Sequence, residues 1–218
     1  MVIQPLDRRL LYGLFLLALL FWLNIGFGLL QPATGSFILK WVPSAILAFI
    51  VYRHRTSWRS FLLFCAILIQ SIGAVILDFD RSGYVLYSLA FTGCAHLCYS
   101  ARFFPALETL KRIHFLRWIF VGGLCVYALF YGSFVADHLP ARMQGPVIFY
   151  MILLTLAGTL SLLSGLSWLV VLGMFFFILD DSVFSYHLFV SPIPANHFIT
   201  WPTYIAGQTC IVLGCIRR

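Results

Sequence analysis

Two adjacent aspartates, Asp180 and Asp181, stand inside the apolar stretch Phe175-Phe-Phe-Ile-Leu-Asp-Asp-Ser-Val-Phe-Ser-Tyr-His187. A charged side chain at the centre of a membrane helix costs about 2.5–3.5 kcal/mol on insertion scales, so intramembrane acids mark functional positions by default. Successive helical residues point about 100° apart, so the two carboxyl groups cannot face one cavity equally. One is expected to face a site, and the other to pair, meet water or carry a proton. Four further polar positions fall in or at the ends of apolar segments: Lys40, Asp78, His96 and Gln208. Carboxyl and imidazole groups in an apolar surround suit proton transfer. A lysine at a helix end suits a phosphate, or it simply snorkels to the interface. Asp78 equally suits an exposed loop, and His96 and Gln208 suit hydrogen bonds between helices.

The elements that position these residues follow from composition. The chain has 218 residues, 62% of them apolar and 10% charged. Soluble domains carry about 25% charged residues, so the sequence describes a polytopic, all-α membrane bundle in a single domain over residues 1–218. Eight segments are long and apolar enough, or nearly so, to span a bilayer: Leu10–Leu30, Phe37–Tyr52, Ser60–Asp78, Tyr84–Phe104, Ile113–Val135, Val147–Leu163, Leu166–Leu188 and Phe198–Ile216. The first has the flanks of an uncleaved signal anchor. Ser164-Gly165 alone separates the sixth and seventh, which predicts a tight helical hairpin.

The net charge of +7 is spread over segment ends and gives no nucleic-acid patch. With eight spans, one side collects Arg8, Arg9, Arg53, Arg55, Arg59, Arg102, Lys111, Arg112, Arg117, Arg217 and Arg218, against Arg81 and Arg142 on the other. The positive-inside rule then puts both termini in the cytoplasm, in a bacterial inner membrane or a eukaryotic endomembrane. Six cysteines lie in apolar runs without metal-type spacing and read as small buried hydrophobes without disulfides. One intramembrane histidine with scattered aspartates falls short of a three-ligand metal site, and no cofactor is expected.

Four short motifs together resemble the YhhN/TMEM86 family of lysoplasmalogenase-like membrane proteins. Lys40-Trp-Val-Pro43 is similar to the family's Lys-x-x-Pro, and His96-Leu-Cys-Tyr99 to its His-x-x-Tyr. Asp181-Ser182 is similar to the end of its Ser-Asp-Ser, with Asp180 in place of the first serine. Tyr204-Ile-Ala-Gly-Gln208 is similar to its Tyr-x-Ala-x-Gln. In the third helix the family usually carries Gly-Asp. Here those positions are Gly73-Ala74, and Asp78 lies one turn further along the same face.

The resemblance implies hydrolysis of the vinyl ether of a single-chain lysophospholipid, giving a fatty aldehyde and a glycerophospho-alcohol. It implies Asp181 as acid or charge stabiliser, His96 as its orienter or water activator, and Asp78 as the replacement carboxylate. It also implies Lys40 as a phosphate contact, with Tyr99, Asp180, Tyr204 and Gln208 lining the substrate site. The topology draws most of these polar groups toward one cavity. Two other readings use the same residues: a lipid or small-solute transporter, and an inactive relative that binds lipid, which Ala74 favours.

Overall fold

A computed structural model describes residues 4–27, 36–54, 57–79, 83–105, 107–110 and 113–216, with the side chains of 25–27, 36–40, 78 and 107–108 outside that description. All the described regular structure is helical. The helices are α1 (Pro5–Phe27), α2 (Ser36–Arg53), α3 (Trp58–Phe79), α4 (Val85–Phe103), the single turn α5 (Leu107–Leu110), α6 (Phe115–Ala136), α7 (Ala141–Leu163), α8 (Trp168–Phe189) and α9 (His197–Ile216). Among the described residues, five segments are long and apolar enough to cross a membrane: Trp58–Leu77, Phe115–Ala136, Ala141–Leu163, Trp168–Phe189 and His197–Ile216. The protein is an integral, multi-pass helical membrane protein. The part of α2 whose side chains are described, Trp41–Arg53, is apolar as well. α4 is diluted by Ser88, Thr92, His96, Ser100 and Arg102.

Helix ends are written in local chemistry. Phe104 and Pro105 close α4, and His114 caps α6 by accepting at Nδ1 from the Leu116 amide at 3.2 Å. The expected α7–α8 hairpin is present, with a connection of four residues rather than two. Gly165 takes φ +64°, and Ser167 caps α8 by accepting from the Leu169 amide at 3.2 Å. α7 begins at Ala141, six residues before the expected Val147, and carries Pro146 inside its opening turns. As the sixth helical residue, that proline forgoes the N–H that would bond the Arg142 carbonyl, a cost confined to one turn near the helix start.

Seven helices close a ring, each packed on the next in the order α1, α2, α3, α4, α7, α8, α9 and back to α1, with α2 and α9 also in contact. One continuous core, including Leu14, Leu47, Ile67, Tyr99, Phe177 and Ile211, fills the ring. α6 stands outside it, against α7 and lightly against α8, and Arg117 and Val135 are its buried residues. The sequence reading of the cysteines as buried needs correction. All six are free, but Cys94 and Cys125 are exposed and the other four only partly covered. On a membrane helix an outward face meets hydrocarbon, where a thiol needs no protein cover.

Two charged contacts tie one end of the bundle together. Asp7, 2% exposed, accepts from Arg53 at 2.5 Å and meets His54 Nε2 at 2.6 Å, so the start of α1 is held to the end of α2. Arg117 reaches from α6 to the Leu162 and Leu166 carbonyls at 3.0 and 2.8 Å, with its guanidinium 4.7 Å from the Trp168 ring. That arginine, read from sequence as one positive-inside charge, satisfies the end of α7.

α8 and α9 approach most closely at Gly173. A Cβ there would meet the Gly207 carbonyl and Ile211 Cγ1 at 2.6 Å each. Gly173→Val is expected to destabilise the fold by about 1–3 kcal/mol, as overpacking does. Gly122→Ala, on the open face of α6 with nothing within 4 Å, should hold stability at or up to about 1 kcal/mol above the parent value. Thermal unfolding of purified protein in detergent reads both.

Candidate active site

α4, α7 and α8 meet at Tyr150. Its hydroxyl lies 2.8 Å from Asp181 Oδ2 and 3.2 Å from His96 Nε2. His96 is fully buried and Tyr150 nearly so. The ring of His96 also packs against Phe177 and Tyr99, at 6.2 Å between centroids in each case. In this row, an ionised Asp181 accepts from Tyr150, which in turn accepts from the His96 Nε2–H. A protonated Asp181 reverses both bonds, donating to Tyr150, which then donates to Nε2 of His96 in its other neutral tautomer, with the ring proton on Nδ1. The three side chains thus accommodate both protonation states of the carboxyl group without moving a heavy atom. His96 Nδ1 has no hydrogen-bond partner among the described residues.

Asp181 lines a narrow cavity between α6 and the α4–α7–α8 wall. Its interior has about 60 Å³ of water-accessible space, room for a few waters or one slender chain, since a single water needs about 10–15 Å³ on that measure. Apolar side chains dominate the lining, among them Val85, Leu89, Leu124, Met151, Leu154 and Phe189. The α6 side is hydroxyl-rich. Tyr127 meets Ser182 Oγ at 2.6 Å, and Tyr131 donates to the Ser182 carbonyl at 2.6 Å and meets Ser185 Oγ at 3.0 Å. The two tyrosine rings stack 5.4 Å apart, nearly parallel at 6°. Ser182 also donates to the Ile178 carbonyl of its own helix.

The remaining sequence-identified residues fall elsewhere. Gln208, fully buried, accepts from Ser44 at 2.7 Å and donates to Tyr204 at 2.9 Å, which closes an α2–α9 cluster inside the ring. Tyr99 donates to Gln70 of α3 at 3.1 Å. Phe177 stands between these groups, its ring 5.9–6.2 Å from those of Tyr99, His96 and Tyr204. The expected convergence is therefore divided. Asp181 and His96 meet, while Tyr204 and Gln208 face Ser44 across the Phe177 ring. Asp180 is half-buried and engaged in interactions of its own. The side chains of Lys40 and Asp78 lie outside the described residues. Ala74 packs against the main core.

Sequence reasoning missed Tyr150, Tyr127 and Tyr131. Tyrosines in aromatic-rich apolar helices look like packing surface, and only the pairing of helices reveals which hydroxyls meet a carboxyl group. Among the described residues, no group of three or more histidine, cysteine, aspartate or glutamate side chains comes together in a metal-binding arrangement.

The fold and site together define a multi-pass helical membrane protein with a carboxyl–phenol–imidazole row beside a narrow, mostly apolar cavity. The YhhN family model matches residues 35–215, and the chain belongs to that family. It is 27% identical over 191 residues to the mouse (Mus musculus) lysoplasmalogenase TMEM86B, covering 86% of this chain and 78% of that protein. No solved structure matches it.

Removing the shared hydroxyl leaves the buried His96 Nε2 unsatisfied and takes a hydrogen bond from the half-buried Asp181. Tyr150→Phe is expected to lower stability by about 1–3 kcal/mol. Tyr127→Phe, at the exposed mouth, should cost under about 1 kcal/mol, the scale of single hydrogen bonds between membrane helices. Equal melting temperatures for Tyr150→Phe and the parent would show that the hydroxyl does not hold the row.

Proposed function

We propose that the protein hydrolyses the vinyl ether of a single-chain ether lipid, releasing a fatty aldehyde and the corresponding glycerol-based alcohol. The observation that carries this reading is Asp181, hydrogen-bonded through Tyr150 to His96 and lining a narrow, mostly apolar cavity. The likeness to a lysoplasmalogenase supports it.

The chemistry needs one acid and one anion in turn, and a carboxyl group supplies both. Protonated Asp181 delivers its proton to the β-carbon of the vinyl ether, and the double-bond electrons form the new C–H bond. The remaining positive charge spreads over the α-carbon and the ether oxygen as an oxocarbenium ion. The Asp181 carboxylate then faces that cation, as a carboxylate does in glycoside hydrolysis. Water adds to the α-carbon and gives its proton back to Asp181. The resulting hemiacetal collapses to aldehyde and alcohol, so one water is consumed and the acid is regenerated. His96 and Tyr150 act as positioning residues that hold the carboxyl group in both states. Asp180, on the neighbouring face of α8, and Lys40, near the start of α2, are assigned to the substrate's polar end, Lys40 as a phosphate contact.

A second reading rests on Ala74, which stands where the family usually has an aspartate. In that reading the chain binds lipid without turnover, unless Asp78 supplies the missing carboxylate.

Aldehyde release from a lysoplasmalogen by protein purified in detergent is the test. Asp181→Asn keeps an acceptor for Tyr150 but has no acidic proton, and it is expected to lose at least about 10²-fold in rate, the scale of general acid catalysis. Parental rates in Asp181→Asn would remove the proposal. If Asp78 serves as the second carboxylate, Asp78→Asn abolishes release as fully. If the chain is an inactive relative, release is absent in the parent and appears in Ala74→Asp.

A further inference from the structure

The hydroxyl row on the α6 side of the cavity has no part in holding Asp181. Tyr127 and Ser182 lie beside the carboxyl group in sequence and space, while Tyr131 and Ser185 lie one turn further along α6 and α8. The helix directions make the cavity an elongated slot. Leu124, Leu154 and Ile178 line one end, and Val85, Val147 and Phe189 the other, with Asp181 between them. The first end is wholly apolar side chain apart from Thr155, whose hydroxyl is returned to the Met151 carbonyl at 2.7 Å. The hydroxyls extend from Asp181 only toward the second end.

Asp181 is the sole charged side chain among the described residues that line this slot, and no cation lines it. Neutral hydroxyls in a row of alternating donor and acceptor partners match another hydroxyl, which donates and accepts in the same way. They match a phosphate less well, because an anion in an apolar slot needs a charged or strongly donating partner. Tyr127 is 39% exposed at the mouth, so its bond to Ser182 can be exchanged for one to a guest.

We propose that Tyr127, Tyr131, Ser182 and Ser185 form a subsite for the free glycerol hydroxyl of a single-chain ether lipid, and that this neutral contact, not the phosphate, selects the ligand. The chain's tail runs to the Leu124–Leu154–Ile178 end, and the ether bond lies beside Asp181. An uncharged 1-alkenylglycerol is then a ligand as good as its phosphoethanolamine derivative. This inference rests on the proposed substrate class and names the part of the substrate that is recognised.

The test uses binding, so that it does not depend on turnover. Three non-hydrolysable alkyl ethers of equal chain length are titrated against the full-length protein in detergent by displacement of a fluorescent single-chain lipid. They are 1-O-hexadecylglycerol, its 2-deoxy analogue and 1-O-hexadecylglycerophosphoethanolamine. The first and third are expected to bind within about threefold of each other, and the 2-deoxy analogue about tenfold more weakly, a hydrogen bond's worth. In Tyr127→Phe and Tyr131→Phe the 2-deoxy penalty should shrink to less than about threefold. Equal binding of glycerol and 2-deoxy ethers by the parent overturns the subsite, whatever the variants do. Tight binding of the phosphate-bearing ether alone overturns the neutral selection and points to a cation such as Lys40. Failure of the hydrolysis assay with this binding pattern intact would count against the enzyme, not the subsite.

Discussion

A carboxyl group among apolar helices must find a partner that stays satisfied whether or not it carries a proton. The Tyr150 hydroxyl meets that requirement for Asp181, because it donates or accepts as the proton moves and passes the complementary role to His96. Much of the surrounding architecture serves this contact. α4 and α7 pack together so that His96 and Tyr150 meet, and the short α7–α8 hairpin returns the chain so that Asp181 lies against Tyr150. The Phe177 ring seals the row from the ring interior.

The placement of α6 follows a different logic. Helices in a membrane gain little from burying apolar surface against each other, so association depends on packing and on hydrogen bonds between helices. α6 is largely exposed. Against α8 it offers the Tyr127 and Tyr131 hydroxyls and an aromatic stack of Phe134 on Tyr186, with ring centroids 6.3 Å apart. A close-packed α6 would leave no slot beside Asp181. A helix held at this seam by hydroxyl contacts leaves one, with its polar groups on the side where a head group would lie.

The sequence disclosed the bundle and the polar residues of greatest consequence, because hydropathy and an intramembrane acid are strong signals. The argument that Asp180 and Asp181 point different ways agrees with the structure, in which Asp181 alone lines the cavity. What the sequence hid was pairing. Gln208 and Tyr204 looked like members of the same site, yet they bond Ser44 and each other, and one phenylalanine ring separates them from His96. Tyr150 carried no signal of its own within an apolar helix. The structure starts α7 at Ala141, six residues before the expected Val147, because Arg142 and Gln144 lower the hydropathy of its first turns. Two contacts that fix helix ends, Asp7 with Arg53 and Arg117 with the Leu162 and Leu166 carbonyls, also looked like ordinary flanking charge.

The central claim is that Asp181 protonates carbon. Turnover of a lysoplasmalogen in deuterated water, with the aldehyde trapped by borohydride as it forms, tests it most directly. Delivery of the acid's deuteron to the vinyl ether β-carbon predicts one deuterium at C2 of the trapped alcohol in each molecule released, and loss of release in Asp181→Asn. Aldehyde released without deuterium at C2 would contradict the account, because the bond would then have broken without protonation of that carbon.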